Sequence, residues 1–250
     1  MSHLPIRLAI AGHTGRLGRE ICASFAQEDG FVLAFGLGRN DNPLSTNSPG
    51  FDVLLDVSSC EGVIERLPVL QQLGKPVVIG VTGFDQKQIQ QIKAAAKTLP
   101  ILLSGNFSIG VNLLLQQVRD VARTLGDRAN IHISETHHTA KKDFPSGTAL
   151  MLADAVMQGR GQNMKIDCAL HPQQPDTGQS KTIAITSFRQ SGVIGQHTVA
   201  FDIEDETTSY QHTANARSIF ANGALIAAKW LVDRQPGFYQ MRDVLGGGLV

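Results

Sequence analysis

Short aliphatic runs alternate with segments of helical period over the first hundred residues. Residues 6–11, 31–35, 53–57, 76–79 and 101–103 have the apolar, β-branched composition of buried strands. Between them, Leu17, Ile21 and Phe25 recur at the spacing of one helix face, and residues 86–99 show the same period. Residues 38–52 are rich in Asn, Ser, Pro and Gly and predict little regular structure. The alternation favours an α/β domain with a parallel sheet.

The pattern changes after Asn106. Residues 111–125 predict one more amphipathic helix, but later segments alternate apolar and polar positions, as strands with one buried face do. Those segments are residues 131–135, 181–189, 193–203 and 207–214. Strands that follow one another without long helices favour an antiparallel or mixed open sheet. A last apolar helix, residues 217–232, is predicted to return to the first sheet.

The chain is therefore predicted to form two domains, the first interrupted by the second. The first, predicted to bind a dinucleotide, comprises residues 1–107 plus 217–250. The inserted α+β domain, residues 108–216, is built on an open mixed sheet.

Composition and charge narrow the function classes. Lys plus Arg and Asp plus Glu both total 22, which leaves no basic excess for nucleic acid. The three cysteines, Cys22, Cys60 and Cys168, form no CxxC pair, which favours a reducing compartment over a disulfide framework or zinc site. No apolar stretch reaches the roughly 20 residues that span a bilayer. We expect a soluble cytoplasmic protein that binds neither nucleic acid nor membranes.

A glycine-rich turn follows the first predicted strand. Gly12, Gly15 and Gly18 are spaced as GxxGxxG at the start of the first helix. A dinucleotide site needs glycines there for a tight turn and for close approach of the pyrophosphate, which the helix N-terminus attracts. This spacing is less specific than GxGxxG. Its position nevertheless favours a Rossmann-type domain over a tight turn without a ligand.

The end of the second strand predicts which dinucleotide is preferred. NAD-specific sites place an acidic residue there for the ribose hydroxyls. In this chain Gly38 and Arg39 occupy that position, and no carboxylate comes before Asp41. The guanidinium of Arg39 suits a 2′-phosphate, which predicts NADPH in preference to NADH. The alternative is that Arg39 is a solvated loop residue.

Titratable side chains are concentrated between Glu135 and Ala149. The segment reads ETHHTAKKDFPSGTA and ends in a predicted helix start with Ser146 as N-cap. N–H groups at a helix start bind carboxylates, and Gly147 allows a ligand to come close. His and Lys side chains beside it could transfer a proton and stabilise negative charge.

Three alternatives apply to this cluster. A metal site of Glu135, His137 and His138 is disfavoured, because adjacent residues of an extended chain point to opposite faces and no HExxH spacing occurs. A serine hydrolase would need Ser146 in a GxSxG elbow, which is missing. A solvated polar loop explains Lys and Asp but explains poorly so many titratable groups at a helix start.

The cluster resembles the signature of the dihydrodipicolinate reductase family, E-x-H-H-x-x-K-x-D-x-P-S-G-T-A. Further similar segments are AGHTGRLG at 11–18, VIGVTGF at 78–84, NFSIGVN at 106–112, GVIGQHTVAF at 192–201, ANGA at 221–224 and MRDVL at 241–245. The resemblance implies NAD(P)H-dependent reduction of 4-hydroxy-tetrahydrodipicolinate to tetrahydrodipicolinate in lysine and diaminopimelate synthesis. It also implies a homotetramer assembled through the inserted domain.

Site residues follow from the matching positions. The resemblance implies His137 and Lys141 as catalytic residues, and the residue spacing predicts no metal. Implied substrate-binding residues are His138, Ser146, Gly147 and Thr148. Implied cofactor-binding residues are Gly12, His13, Thr14, Gly15, Arg16, Leu17, Arg39, Gly80, Val81, Thr82, Ser104, Gly105, Asn106 and Phe107.

The chain departs from the family pattern at three places. Gly38 stands where many relatives carry the ribose-binding acid, residues 40–51 are shortened, and Lys142 adds a cation beside Lys141. The spacing from His137 favours Lys141 as the proton donor. Two other functions stay open, namely a two-domain dehydrogenase acting on an amino acid or semialdehyde and a non-catalytic NADPH sensor.

Overall fold

The computed structural model describes residues 4–25, 30–39, 41, 43–173, 175 and 181–246. It divides into two compact units. The first unit comprises Met1–Ile109 and Ser218–Val250, and the second unit comprises Gly110–Arg217. The chain therefore leaves the first unit once and returns to it.

The helices and strands largely alternate along the first unit, whereas the second unit ends in four successive strands. The strands are β1 (Ile6–Ala11), β2 (Phe31–Leu37), β3 (Val53–Asp56), β4 (Val77–Ile79), β5 (Pro100–Leu103), β6 (Asn130–His137), β7 (Lys165–Leu170), β8 (Thr182–Arg189), β9 (Gly195–Ile203), β10 (Glu206–Ala214) and β11 (Gly237–Tyr239). The helices are α1 (Arg16–Phe25), α2 (Cys60–Leu73), α3 (Gln86–Ala95), α4 (Ile109–Leu125), α5 (Gly147–Arg160), α6 (Ser218–Leu231) and α7 (Met241–Gly246).

A six-stranded sheet in the order β11-β5-β4-β3-β1-β2 forms the centre of the first unit. Every neighbouring pair is parallel, which confirms the predicted parallel sheet. The central strands are buried on both faces, as their continuous apolar sequences predict. Strand β11 was not predicted, because its sequence, Gly-Phe-Tyr, contains no aliphatic run.

Helix α6 completes the core of the first unit, which confirms the predicted return of the chain. It packs against β3, β4 and β5 and buries Ala224, Leu225 and Leu231. At Gly223 the helix passes so close to the backbone that a Cβ would lie 1.9 Å from the carbonyl oxygen of Phe107. Glycine is therefore required at position 223 by close packing against the segment that follows β5.

The second unit contains a mixed sheet in the order β10-β9-β6-β8-β7. Strand β6 pairs parallel with β8 and antiparallel with β9, which confirms the predicted mixed topology. Apolar side chains of α4 and α5 pack on one face of this sheet, among them Val118, Leu152 and Val156. The other face is formed by every second residue of these strands, and most of those side chains are polar. It has a cleft of about 370 Å³, lined by Asn130, His132, Thr186, Phe188 and Asp202 among others. Among the described residues no helix combines the length and apolar character needed to cross a bilayer.

Candidate active site

Strand register places five polar side chains at one end of the helix-covered face of the second sheet. Glu135 pairs with Ser187 on β8 and with His197 on β9, and His137 pairs with Arg189. In-register side chains on one face lie about 5 Å apart, close enough to interact directly. The face is apolar up to Ile133 and becomes a polar cluster from Glu135 onward.

Glu135 is the centre of this cluster, and its side chain is fully buried. One carboxylate oxygen, Oε1, accepts hydrogen bonds from the Ser146 backbone N–H at 3.1 Å and the Ser187 hydroxyl at 2.7 Å. The same oxygen lies 3.7 Å from the Arg189 guanidinium. Burial alone would raise the pKa of Glu135, but its contacts with His137, Ser146 and Ser187 outweigh burial and lower the pKa to about 2. Glu135 is therefore a carboxylate at neutral pH.

The second oxygen, Oε2, faces two histidines. His137 Nδ1 lies 3.1 Å away and His197 Nε2 lies 3.7 Å away. Neither N–H is aligned for a linear hydrogen bond in this structure. Catalytic contacts of this kind often tighten only when substrate binds. Because a carboxylate oxygen lies 3.1 Å from Nδ1 of His137, the pairing favours a proton on Nδ1, which would leave Nε2 as an acceptor.

His197 is held between His137 and the start of α5. The rings of His137 and His197 meet edge to face with centroids 5.0 Å apart, and Nε2 of His197 lies 3.0 Å from the Ser146 hydroxyl. Burial, reinforced by the neighbouring His137, lowers the pKa of His197 to about 4. At neutral pH His197 is thus an uncharged hydrogen-bonding residue.

We expect His197 to make the protein acid-sensitive. Between about pH 6.5 and pH 4 the unfolded state binds a proton at His197 that the folded state does not, so stability falls as pH falls through that range. The whole effect is about 3 kcal/mol. Urea unfolding should be measured at several pH values. The free energy of unfolding should fall less steeply with falling pH in His197→Asn than in the parent. Above pH 7 the two proteins should differ by a constant amount, and equal slopes below it would contradict the assignment.

Helix α5 begins where the sequence predicts. The Ser146 hydroxyl accepts a hydrogen bond from the Ala149 N–H at 3.1 Å, which confirms Ser146 as the N-cap. Gly147, the first residue of the helix, is exposed, and a Cβ there would meet nothing within 4 Å. The N-terminus of this helix is therefore open to a ligand.

The loop before α5 carries the predicted proton donor. Lys141 Nζ lies 2.5 Å from an Asp143 carboxylate oxygen. Arg189 fixes the loop by donating to the carbonyl oxygens of Lys141 at 3.0 Å and Asp143 at 2.8 Å. The Lys141 side chain is only 18% exposed, whereas Lys142 is exposed. This arrangement favours Lys141 over Lys142 as the residue that acts on a ligand.

His138 lies on the other side of the strand end from its neighbour. Its Nε2 lies 3.5 Å from the Arg217 guanidinium, and its carbonyl oxygen accepts from the Lys141 N–H. The structure thus brings His137, His138 and Lys141 to the carboxyl end of β6, on the chain segment that leads into α5. The predicted substrate-binding positions Ser146, Gly147 and Thr148 form the start of that helix.

The groups that could hold a metal differ from those weighed in the sequence. Ligand atoms of Glu135, His137 and His197 lie within 4.8 Å of one another, whereas His138 is not part of this group. Glu135 already accepts two hydrogen bonds and faces Arg189, and His197 contacts Ser146. The carboxylate charge is therefore balanced by protein groups.

Sequence reasoning missed Ser187, Arg189 and His197 as members of this cluster. A signal was available, because these positions continue the inward-facing phase of Ile183, Ile185 and Val199. A polar residue in an otherwise apolar phase predicts a buried hydrogen-bond network. Which strands bring those residues to Glu135 could be known only from the sheet order.

The glycine turn of the first unit forms a cradle that only glycine permits. Gly12 has a φ of +84°, and a Cβ there would lie 2.8 Å from the carbonyl group of Val57. At Gly18 a Cβ would lie 2.2 Å from the Gly12 carbonyl oxygen. The turn therefore brings bare backbone to the N-terminus of α1, which fits a pyrophosphate group.

The other predicted cofactor residues lie at the carboxyl ends of neighbouring parallel strands. Arg39 follows β2, residues 80–82 follow β4, and residues 104–107 follow β5. Gly80 lies under the Phe107 ring, where a Cβ would come within 2.6 Å. The structure thus gathers all predicted nucleotide positions at one edge of the sheet, where open α/β sheets bind ligands.

Family comparisons cover nearly the whole chain. Residues 6–107 match the model of the dihydrodipicolinate reductase N-terminus, and residues 110–245 match that of the dihydrodipicolinate reductase C-terminus. Among solved structures, a dipicolinate-bound dihydrodipicolinate reductase from Paenisporosarcina sp. TG-14 is 25% identical. Its TM-score is 0.75, with 97% of this chain and 100% of that chain covered.

More distant structures share the fold. An amine dehydrogenase from Mycobacterium smegmatis is 10% identical, with a TM-score of 0.61 and 96% of each chain covered. A C. glutamicum DAP dehydrogenase in complex with DAP is 16% identical, with a TM-score of 0.52 and 96% and 93% of the two chains covered. The two family models, in contrast, match both units of this chain in order. The chain therefore belongs to the dihydrodipicolinate reductase family, the NAD(P)H-dependent oxidoreductases of lysine and diaminopimelate biosynthesis.

Proposed function

We propose that this chain reduces 4-hydroxy-tetrahydrodipicolinate to tetrahydrodipicolinate with loss of water, and that NADPH is the preferred reductant. When bound, the cofactor supplies a hydride to C4 of the substrate. The observation that carries the proposal is the pairing of an open helix N-terminus at Gly147 with His137 and Lys141 on the segment before it. The dipicolinate held by the Paenisporosarcina structure is a small dicarboxylate of the same class.

In this proposal the substrate carboxylates are bound by His138, Ser146, Gly147 and Thr148. A helix N-terminus attracts anions through its N–H groups and its dipole. Arg189 holds the loop through the carbonyl oxygen of Lys141, and Glu135 holds the helix start through the N–H of Ser146. The dicarboxylate would thus meet backbone N–H groups and cationic side chains together.

We assign proton transfer to His137 and Lys141. Lys141 is the proposed proton donor; its side chain is restrained by Asp143, and its backbone is held by Arg189, which donates to its carbonyl oxygen. His137 is oriented by Glu135, whose carboxylate lies at Nδ1. Restraining both groups reduces the entropy that proton transfer would otherwise cost.

The nucleotide would bind at the carboxyl edge of the first sheet, in the domain formed by residues 1–107 plus 217–250. The glycine turn from Gly12 to Leu17 would hold the pyrophosphate, and Arg39, which is exposed, would bind the 2′-phosphate. The segments 80–82 and 104–107 complete this edge.

We further propose a cytoplasmic homotetramer, with residues 108–216 binding substrate and forming the subunit contacts. The support is the sheet face opposite α4 and α5, where a broad surface on several strands bears short polar side chains suited to packing against another sheet. Light scattering should report four times the chain mass of 26.9 kDa. A monomer at micromolar concentration would oppose this assembly.

The activity is tested by NADPH oxidation with the substrate generated in situ by dihydrodipicolinate synthase. We expect substrate-dependent loss of NADPH absorbance, and no loss with amino acids or semialdehydes as substrates. Tight NADPH binding without turnover would instead indicate a sensor. Turnover of an amino acid alone would indicate a different two-domain dehydrogenase.

A further inference from the structure

The ring of His13, a residue of the glycine turn, packs against the end of β2. A Cβ at Gly36 would lie 2.6 Å from the His13 ring, and a Cβ at Gly38 would lie 3.5 Å from it. The side-chain direction at Gly38 therefore points toward the glycine turn. Since Gly38 has no side chain, this residue itself cannot offer a carboxylate there.

Asp41 places a carboxylate at this position instead. Its Oδ2 accepts a hydrogen bond from the Gly38 N–H at 2.5 Å, so the chain turns back on itself after the strand. The same oxygen lies 3.0 Å from the point where a Gly38 Cβ would be. Asp41 is exposed, and no hydrogen bond to its Oδ1 occurs among the residues that the structure describes. One oxygen thus holds the turn while the other is available to a ligand.

We infer that Asp41 is the ribose-binding acid of this chain and that it sets nucleotide specificity in opposition to Arg39. The inference depends on the proposed use of a nicotinamide dinucleotide. Acids at the end of the second strand accept hydrogen bonds from the adenosine ribose hydroxyls. The Asp41 carboxylate favours a ribose with a free 2′-hydroxyl and repels a 2′-phosphate, whereas the Arg39 guanidinium attracts the phosphate. NADH use is therefore retained despite Gly38.

Binding of NADH and NADPH, measured separately by calorimetry without substrate, tests the inference. Asp41→Asn keeps an acceptor for the Gly38 N–H but removes the charge. It should weaken NADH by about tenfold, the value of one charge-assisted hydrogen bond, and should leave NADPH unchanged or tighter. Arg39→Ala should do the reverse. Glu65→Gln removes one negative charge from an exposed position on α2 and should alter neither affinity.

Moving the acid provides a sharper test. The double variant combines Asp41→Ala with Gly38→Glu. The first change removes the Asp41 oxygen that would crowd a Cβ at position 38, and the His13 ring lies 3.5 Å from that Cβ, an ordinary contact distance. The double variant should recover the NADH affinity that Asp41→Ala loses. Equal weakening of NADH and NADPH in Asp41→Asn, or no change relative to Glu65→Gln, would overturn the role of Asp41. If the parent binds neither nucleotide, the proposed function itself fails.

Discussion

Alanine at position 141 should lower kcat by about 10²- to 10⁴-fold, the usual contribution of a positioned general acid. The reason is positional, because the Lys141 side chain is restrained by Asp143, and Arg189 holds the loop before α5 through the carbonyl oxygens of Lys141 and Asp143. Nucleotide affinity should not change, since this residue lies in the second unit. Steady-state kinetics with both substrates varied, together with a binding measurement for NADPH, would check both statements.

Lys142→Ala is the matched control. It removes the same charge one residue later, from an exposed side chain, and should leave kcat within a few-fold of the parent. Loss of kcat in Lys142→Ala with an active Lys141→Ala would reverse the assignment of the proton donor. A loss confined to KM in Lys141→Ala would mean that Lys141 binds the substrate without protonating it.

Glu135→Ala should strongly destabilise the second unit. Alanine there would leave the Ser146 N–H, the Ser187 hydroxyl and the nearby Arg189 charge without the carboxylate. Removing one partner from a buried charged network costs about 3–5 kcal/mol. Urea unfolding at neutral pH should show this loss, and Ser187→Ala, which removes a single hydrogen bond, should cost about 1 kcal/mol.

Glutamine at position 135 separates positioning from stability. Its carbonyl oxygen can accept the same two hydrogen bonds, but its NH₂ group would face His137 Nδ1, which must then become the acceptor. The proton moves to Nε2, and kcat should fall at least tenfold with a smaller change in stability than alanine causes. Imidazole ¹⁵N chemical shifts should report the exchange of tautomers. Unchanged shifts and an unchanged kcat would show that Glu135 only supports the fold.

Much of the fold and of the candidate site could be predicted from short stretches of sequence. The glycine turn, the buried strands of the first sheet and the Ser146 helix start each depend on a few neighbouring residues, and the structure agrees at all three. The family signature between Glu135 and Ala149 then pointed to the dihydrodipicolinate reductase fold.

What could not be predicted depends on contacts between distant residues. His197 reaches Ser146 only because β9 pairs antiparallel with β6, and Arg189 reaches the loop because β8 pairs parallel on the other side. The contact of Asp41 with Gly38 was also not predictable from periodicity, because it depends on a turn that brings the Asp41 carboxylate back to the Gly38 N–H. Periodicity identifies strands, but it does not specify their order or where a loop returns.

The interrupted first unit also determines the order in which the protein can fold as it is synthesised. Residues 110–217 leave the ribosome before α6 does, so the second unit can fold while the first sheet still lacks the helix that buries Ala221, Ala224 and Leu225 against it. Nascent chains with exposed apolar surface aggregate and bind chaperones. Ribosomes stalled on a chain that ends at residue 217 and continues into a flexible linker long enough to span the exit tunnel should therefore carry a protease-resistant second unit and a protease-sensitive first unit. Equal resistance of both units would show that the first sheet closes without α6.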